Sequence, residues 1–545
     1  MKTTRIIIIT LFLSFLYFLV FSFITFPAIK FFSTHFFTGY TDGFAHIWNL
    51  WWIKKAVTEL HTSIWFTDYL HYPHGISLYG HALNPFNGYL FLFLSEFLTF
   101  IQAHNVIIIF TFVSAGVTAY WLSYYFTKSY WASFFGGFIF SFSSYHFAHT
   151  LGHMELISIE WIPLFTLCWY KFMTKPNILN AIFASISLYL VLLCSDYYFI
   201  YCLLIAAIII VWFAVKNRSL FLINKKYYLP LFIFIVSTLL TSGPIVLAYY
   251  QLIAKDFIFG MHTAQYNSLD LFGLFIPGGL WRFADLTKSY WSQLASNNIA
   301  EDSVHIGFST IIVLIYLLIN RKKINMPSFS LWLVLLIFFA LMSFGPILHL
   351  KHLEIPYLLL PYALLEKILP FLGTTGMPIR MVLIVYLAVS VLFAKGIWML
   401  SKGPLKNKII TLFILILLFF EYLPKPLSLA FIQIPPYINA LEKLPAGALI
   451  DQVSDRYINL YYQTIHNKPM AFGYTSRTPA SVYDKSNIID KFLTNHDYKT
   501  LCNQYNFRYV LTSSDTGDYP ALEKYNDGSV KIYDLMNQNQ TCLVK

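Results

Sequence analysis

Charge is scarce in this sequence. Only 12% of its 545 residues are Asp, Glu, Lys or Arg, roughly half the share of an ordinary soluble domain, which excludes a cytosolic globular protein. Cysteine is scarcer, at five, too few for a disulfide scaffold, and no CxxC or other zinc spacing occurs among them. There is no HExxH motif, so a zinc protease is unsupported. Internal repeats, low-complexity tracts and heptad arrays are also missing. The rest is apolar: 57% hydrophobic, 19% aromatic, mean hydropathy +0.60. Runs approach the roughly 20 residues needed to cross about 30 Å of hydrocarbon, so the expected fold class is an all-α polytopic membrane protein.

The first run, 6–26, follows Lys2 and Arg5. Its apolar core is too long for a signal peptide and no small-residue cleavage site precedes Lys30, so it reads as an uncleaved first span. Further spans are expected near 105–126, 131–147, 156–172, 179–194, 197–215, 228–250, 305–318, 330–348, 379–399 and 409–423. That makes eleven, with the N-terminus inside and the C-terminus outside. The inside segments then carry fifteen basic residues and no acid: Lys2, Arg5, Lys128, Lys171, Lys175, Lys216, Arg218, Lys225, Lys226, Arg321, Lys322, Lys323, Lys402, Lys406 and Lys408. Such a Lys/Arg bias sets orientation. The net charge of +11 is therefore read as a topology signal, and no nucleic-acid partner is expected. The stretch 89–100 suits an interfacial or re-entrant helix.

On this reading 1–424 is the membrane domain, with large outer loops at 28–104 and 251–304. Beyond Pro424, Pro426, Pro435 and Pro436 the composition changes, with twelve basic and eleven acidic residues after Leu423. Short β-like runs at 448–450, 509–512 and 530–533 alternate with polar helical stretches such as 486–494. The segment 425–545 is expected to form a small extracytoplasmic α/β domain. Cys502 and Cys542 lie there, where an oxidising exterior permits pairing. Cys168, Cys194 and Cys202 sit in or beside spans as small hydrophobes.

Candidate site residues gather on the outer side. Asp42 is placed to cap a helical stretch on which His46 and Asn49 follow at i+4 and i+7, all three within about 60° of one face. Trp48, Trp51 and Trp52 fall opposite, which suits a helix lying in the membrane surface with its indoles among headgroups. The loop that follows is rich in His, Pro, Gly and Asn, including His71, His74 and His81. A second cluster, His146, His149, His153, Glu155 and Glu160, lies where the third and fourth spans meet. Ionisable groups near the membrane are costly and mark function, and a divalent metal or a phosphate is the ligand such a set would take. Arg380 opens the tenth span with a planar fork suited to phosphate. Asp196 reads as a turn acid.

Several segments together carry a resemblance. They are Asp42-Gly43 with Trp48-Asn49-Leu50-Trp51-Trp52, Tyr72-Pro73-x-Gly75, Asn84-Pro85-x-Asn87-Gly88, His149-x-x-Gly152-His153 running to Glu160-Trp161-x-Pro163-Leu164, Tyr461-Tyr462-Gln463-Thr464-x-His466-x-Lys468-Pro469, and Gly473-Tyr474-x-Ser476-Arg477. This pattern resembles the GT-C class of integral-membrane glycosyltransferases, and more closely a large group of bacterial multi-pass proteins of that class. The resemblance implies a sugar transferase of the bacterial cytoplasmic (inner) membrane, using a polyprenyl-phosphate sugar donor and an envelope glycan or lipid acceptor. It implies Asp42 as the first-loop carboxylate that takes the acceptor's proton or orders metal. His46, Asn49, His149, His153, Glu155 and Glu160 would support it, and Arg380, Arg282 and Lys54 would meet the donor phosphate. Many members carry paired acids where this chain has Asp42-Gly43, and no Asp-x-Asp triplet follows in the second outer loop, a departure that bears on metal dependence. A transporter of lipid-linked saccharide and a non-catalytic envelope assembly protein are the competing classes.

The topology is open to direct test. Reporter fusions after Lys128, Lys226, Lys323 and Lys408 are expected to read cytoplasmic and one after Tyr437 exported; a cytoplasmic signal from the last contradicts the orientation.

Overall fold

The computed structural model describes residues 2–216, 224–259, 262–294, 298–351, 353–369, 376–513, 521–536 and 541–543; Arg218 lies outside them. The chain divides into two compact units, one of residues 1–37, 101–243 and 261–429, the other of 38–100, 244–260 and 430–545.

The first unit is a helical bundle. Among the described residues four helices are long and apolar enough to cross a membrane: Thr4–Ile24, Phe100–Thr127, Asp196–Lys216 and Pro378–Ser401. A fifth results if Lys225–Thr241 and Gly243–Lys255 count as one broken span. The other apolar segments are also helical but shorter, such as Phe308–Ile319 at 12 residues and Phe329–Ser343 at 15. Twelve residues rise about 18 Å, so the eleven-span count depends on these shorter helices. Exposed apolar residues such as Ile7, Leu11, Phe183, Phe232, Ile315 and Phe413 clothe the bundle, the surface expected of helices that meet lipid rather than water.

The bundle's axis is the helix Val382–Ser401, buried almost throughout. Close approach is bought with small residues: a Cβ on Gly136 would fall 2.8 Å from the Ser390 carbonyl oxygen. Gly116 and Gly137 seat Tyr17 of the first helix, whose hydroxyl donates to the Phe134 carbonyl at 2.9 Å. Glu421, at the end of the helix Leu405–Glu421, accepts from the backbone N–H groups of Phe308 (2.6 Å) and Ser309 (3.0 Å). It thereby caps the helix Phe308–Ile319 from outside, satisfying donors that helix cannot satisfy itself. Gly307 precedes them at φ +84°, beside the same carboxylate, a conformation that favours glycine. The segment expected to span 330–348 departs from plan. Its helix ends at Ser343 before Gly345 at φ +67°, and an antiparallel hairpin follows, Ile347–Leu350 with Leu353–Leu359.

The second unit holds a four-stranded mixed sheet in the order Ala448–Asp451, Phe507–Ser513, Val530–Asp534, Leu522–Asn526. The first pair is parallel and the others antiparallel. These strands and the helix Ala480–Thr494 cover the runs read from the sequence, and Cys502 is disulfide-bonded to Cys542. Two expectations are corrected. The compact unit is not 425–545 alone, because 38–100 and 244–260 belong to it. Backbone ladders tie them together: Met470 N–H donates to the Tyr69 carbonyl and Tyr72 N–H to the Met470 carbonyl, both at 2.9 Å, while Ile258–Phe259 pairs with Thr478–Pro479. Nor does the Asp42–Thr58 helix present its tryptophans to headgroups. Every residue from Gly43 to Ile53 is buried, and Trp48 stacks on Trp52 at 5.8 Å in a core shared with Leu70, Ile76, Leu460, Met470 and Val482. A helix apolar on nearly all sides belongs inside a fold, not at an interface.

A fragment of residues 430–545 made alone is therefore expected to lack its native near-ultraviolet circular dichroism and to aggregate, because Leu460, Met470 and Val482 lose their partners. The same fragment co-produced with 38–100 is expected to recover it; a well-folded isolated fragment contradicts the shared core.

Candidate functional site

The candidate site residues fall into two clusters, one in each unit. In the second unit Asp42 is the first residue of its helix, after Thr41, so it opens the first turn and is not itself the cap. It is half-buried, and the Tyr474 hydroxyl donates to its Oδ1 at 3.1 Å. Burial, then the Asp42 carboxylate, then Tyr457 push the Tyr474 phenol far above its ordinary range, so it stays a donor. Tyr457 lies ring to ring with Tyr474 at 4.7 Å. Arg456 is exposed, stands over both rings at 4.7 and 5.4 Å, and donates to the Tyr457 hydroxyl at 3.0 Å.

His46 and Asn49, expected beside Asp42 on one helical face, enter a buried network. Ser476 N–H points at His81 Nδ1 at 3.2 Å, so that nitrogen accepts and Nε2 carries the proton. His81 Nε2 then donates to Asn49 Oδ1 at 2.8 Å. Asn49 Nδ2 donates to the Ala82 carbonyl at 2.9 Å and faces His46 Nδ1 at 3.5 Å. These contacts join the helix to the loop around His81 and to the segment at Ser476. A buried amide whose groups are all engaged is a fold-specifying element. Lys54 donates to Ser95 at 3.0 Å and lies twelve residues from Asp42 along one helix, about 18 Å. It is therefore out of reach of a group bound at Asp42.

In the first unit the stretch 144–160 does not run as one helix. Ser144–His149 and Met154–Ile157 are separate turns of helix, and Glu160 precedes the helix Trp161–Thr174, so His146, His149, His153 and Glu160 share no single helical face. His146 stacks on Phe112 at 3.8 Å, with its nitrogens 2.7 and 2.8 Å from the Ser141 and Ile157 carbonyls. Glu160 is fully buried. The surprise is Glu301, which sequence reasoning missed because it lies 79 residues from its partner. Arg380 donates to Glu301 Oε1 through Nε at 3.0 Å and Nη2 at 2.6 Å, with Tyr197 beneath the guanidinium at 4.8 Å. His149 Nε2 stands 3.8 Å from Glu301 Oε2, and His153 packs at 5.4 Å from His149, ring to ring. Arg380 is thus held by a buried carboxylate. Arg282 donates to the carbonyls of Pro424 (2.8 Å) and Ile24 (3.4 Å), tying the first helix to the segment after the last. Among the described residues no group of three His, Cys, Asp or Glu side chains has the geometry to hold a metal ion.

No family model matches the chain, and no curated protein matches it. Among solved structures it is similar to the archaeal oligosaccharyltransferase AglB from Archaeoglobus fulgidus in complex with an inhibitory peptide and a dolichol-phosphate. That match has 12% identity over 94% of this chain and 70% of that one, with a TM-score of 0.47. It is also similar to ArnT from Cupriavidus metallidurans bound to undecaprenyl phosphate, at 10% identity over 98% of this chain and 97% of that one, TM-score 0.40. Both belong to the GT-C superfamily.

The Glu301 cluster has its own pH signature. Burial alone would push the Glu301 carboxyl up, but Arg380 and His149 outweigh it and hold it at about 2. Burial also lowers His149 to about 3, against the pull of Glu301. In both cases the unfolded chain binds protons that the folded chain refuses, so stability is complete above about pH 6.5 and falls as pH drops, first through His149 and then, below about 4.5, through Glu301. Removing one partner of a buried pair costs about 3–5 kcal/mol. Glu301→Gln is expected to lower the melting temperature of the purified protein markedly, and Glu301→Gln with Arg380→Met to restore much of it. Melting of Glu301→Gln at the wild-type temperature contradicts the pairing.

Proposed function

We propose that this protein is a membrane glycosyltransferase that moves a sugar from a polyprenyl-phosphate carrier to a hydroxyl of an envelope glycan or lipid at the outer face of the membrane, with Asp42 as general base. The observation that carries the reading is the Asp42 carboxylate itself, half-buried at the mouth of an otherwise buried helix and oriented by Tyr474 at 3.1 Å. A carboxylate held this way by a rigid support is preorganised to take a proton. In the reaction the acceptor oxygen forms a bond to the sugar's anomeric carbon while the bond from that carbon to the phosphate oxygen breaks. The carrier phosphate leaves with the electron pair, and the acceptor's proton passes to Asp42. A polyprenyl-linked donor cannot leave the bilayer, so a multi-pass apolar protein is the kind that meets it.

Two features of the resemblance read differently here. Arg380 is engaged by Glu301 and Lys54 sits far along the helix from Asp42, so neither is assigned to the donor phosphate. His46 and Asn49 support Asp42 by fixing its helix and are not assigned to the acceptor.

Asp42→Asn keeps size and helix-start chemistry while removing the base. In a strain lacking the chromosomal copy, it is expected to give near-normal protein and to cut glycan transfer by about 10² or more, the usual share of general-base catalysis. Full transfer with Asp42→Asn, and loss with Glu155→Gln or Glu160→Gln at normal protein levels, moves the base to those residues. No glycan change with any of the three contradicts the enzyme reading and favours transport or assembly.

A further inference from the structure

Several basic side chains of Asp42's unit are spent on the fold. Lys55 pairs with Glu59 at 2.7 Å, Arg508 with Asp534 at 3.2 Å, Arg477 donates to the Tyr249 hydroxyl at 3.1 Å, and Lys468 donates to the Leu444 carbonyl at 2.9 Å. Arg456 differs. It is exposed, and among the described residues it meets only tyrosine, never a carboxylate. Its neighbour Asp455 turns inward on the chain, accepting from Tyr457 N–H at 2.9 Å.

We propose that Arg456, Tyr457 and Tyr474 form a saccharide subsite beside Asp42, which recognises a sugar bearing an anionic group, phosphate or carboxylate. The two half-buried rings lie in contact, centroids 4.7 Å apart and tilted by 56°, and an aromatic ring is the surface against which the C–H face of a pyranose packs. The guanidinium presents a planar fork of donors matched to a two-oxygen anion, and only one of its bonds is used internally. Tyr474 is the shared member: its ring belongs to the subsite and its hydroxyl holds Asp42, so a sugar seated there lies next to the carboxylate. The subsite deepens the transfer reading above, because it serves the same carboxylate, but its binding test does not depend on transfer. The two sources of such a ligand are a phosphorylated donor sugar and an acidic acceptor sugar.

The test uses the full-length protein in lipid nanodiscs, titrated with a hexose 1-phosphate, with glucuronate and with a neutral methyl hexoside, while melting curves verify folding. Wild type is expected to bind at least one anionic sugar several-fold more tightly than the neutral one. Arg456→Gln is expected to weaken that ligand about tenfold, the effect of losing a charge-assisted hydrogen bond, and to leave the hexoside unchanged. Arg456→Lys, which keeps charge but loses the fork, should recover part of the affinity. Preference for the hexose phosphate assigns the subsite to the donor, and preference for glucuronate to the acceptor. Equal binding of all three sugars by wild type, or a preference that survives Arg456→Gln, overturns the subsite. If Asp42→Asn abolishes transfer while Arg456→Gln changes no binding, the subsite falls and the transfer reading stands. If Arg456→Gln removes the preference but Asp42→Asn transfers normally, the reverse holds.

Discussion

The indole N–H of Trp48 is buried, and a buried donor without an acceptor costs about 1–3 kcal/mol, so the Asp42–Thr58 helix can lie where it does only because Gln463 reaches it at 2.6 Å. The same amide donates to the carbonyls of Tyr69 (2.6 Å) and Lys468 (2.9 Å). One side chain therefore satisfies three groups, two from residues 48–69 and one from the C-terminal chain. Remove it and the Trp48 indole N–H is stranded in the core, while the Tyr69 carbonyl keeps only the Met470 N–H. The rigidity of Asp42 depends on this amide, since the helix that carries Asp42 is clamped at Trp48 by Gln463, at Asn49 by His81, and at Trp52 by the Ile64 carbonyl.

The two charged clusters answer different demands. In the membrane-type bundle, Arg380 and Glu301 neutralise each other out of water, an arrangement tolerable only when paired, and it fixes the start of the bundle's central helix. In the second unit, Asp42 and Arg456 remain accessible and are linked through tyrosine rings instead of neutralising each other. Chemistry needs the second arrangement, because a carboxylate already bound to a guanidinium is a poorer proton acceptor.

What the sequence made legible follows from periodicity and composition. Apolar runs marked the helices, the alternating runs at 448–450, 509–512 and 530–533 marked three strands of the sheet, and Asp42 stood out as an acid opening a helix. The errors have one source. The helical wheel puts Trp51 opposite Asp42 and Trp48 and Trp52 about 120° and 80° to its side, and nothing in that pattern distinguishes a membrane surface from a protein core supplied by residues 460–482. The same blindness left 38–100 out of the unit that follows Pro424, since its partners lie nearly 400 residues away. Glu301 and Arg456 left no local mark, since what singles them out is respectively a distant guanidinium and a pair of tyrosine rings. Gln463 and Tyr474 stood inside motifs that were noticed, but only packing reveals that one supports the fold and the other orients the carboxylate.

The central claim is that Asp42 drives cleavage of the bond between a sugar and its lipid carrier. The most direct measurement follows a radiolabelled sugar on a polyprenyl-phosphate carrier in vesicles containing the purified protein and a crude envelope acceptor. The account predicts that label leaves the carrier with wild type and stays on it with Asp42→Asn. Label that crosses the bilayer still attached to its carrier, or that leaves equally fast with both proteins, contradicts it.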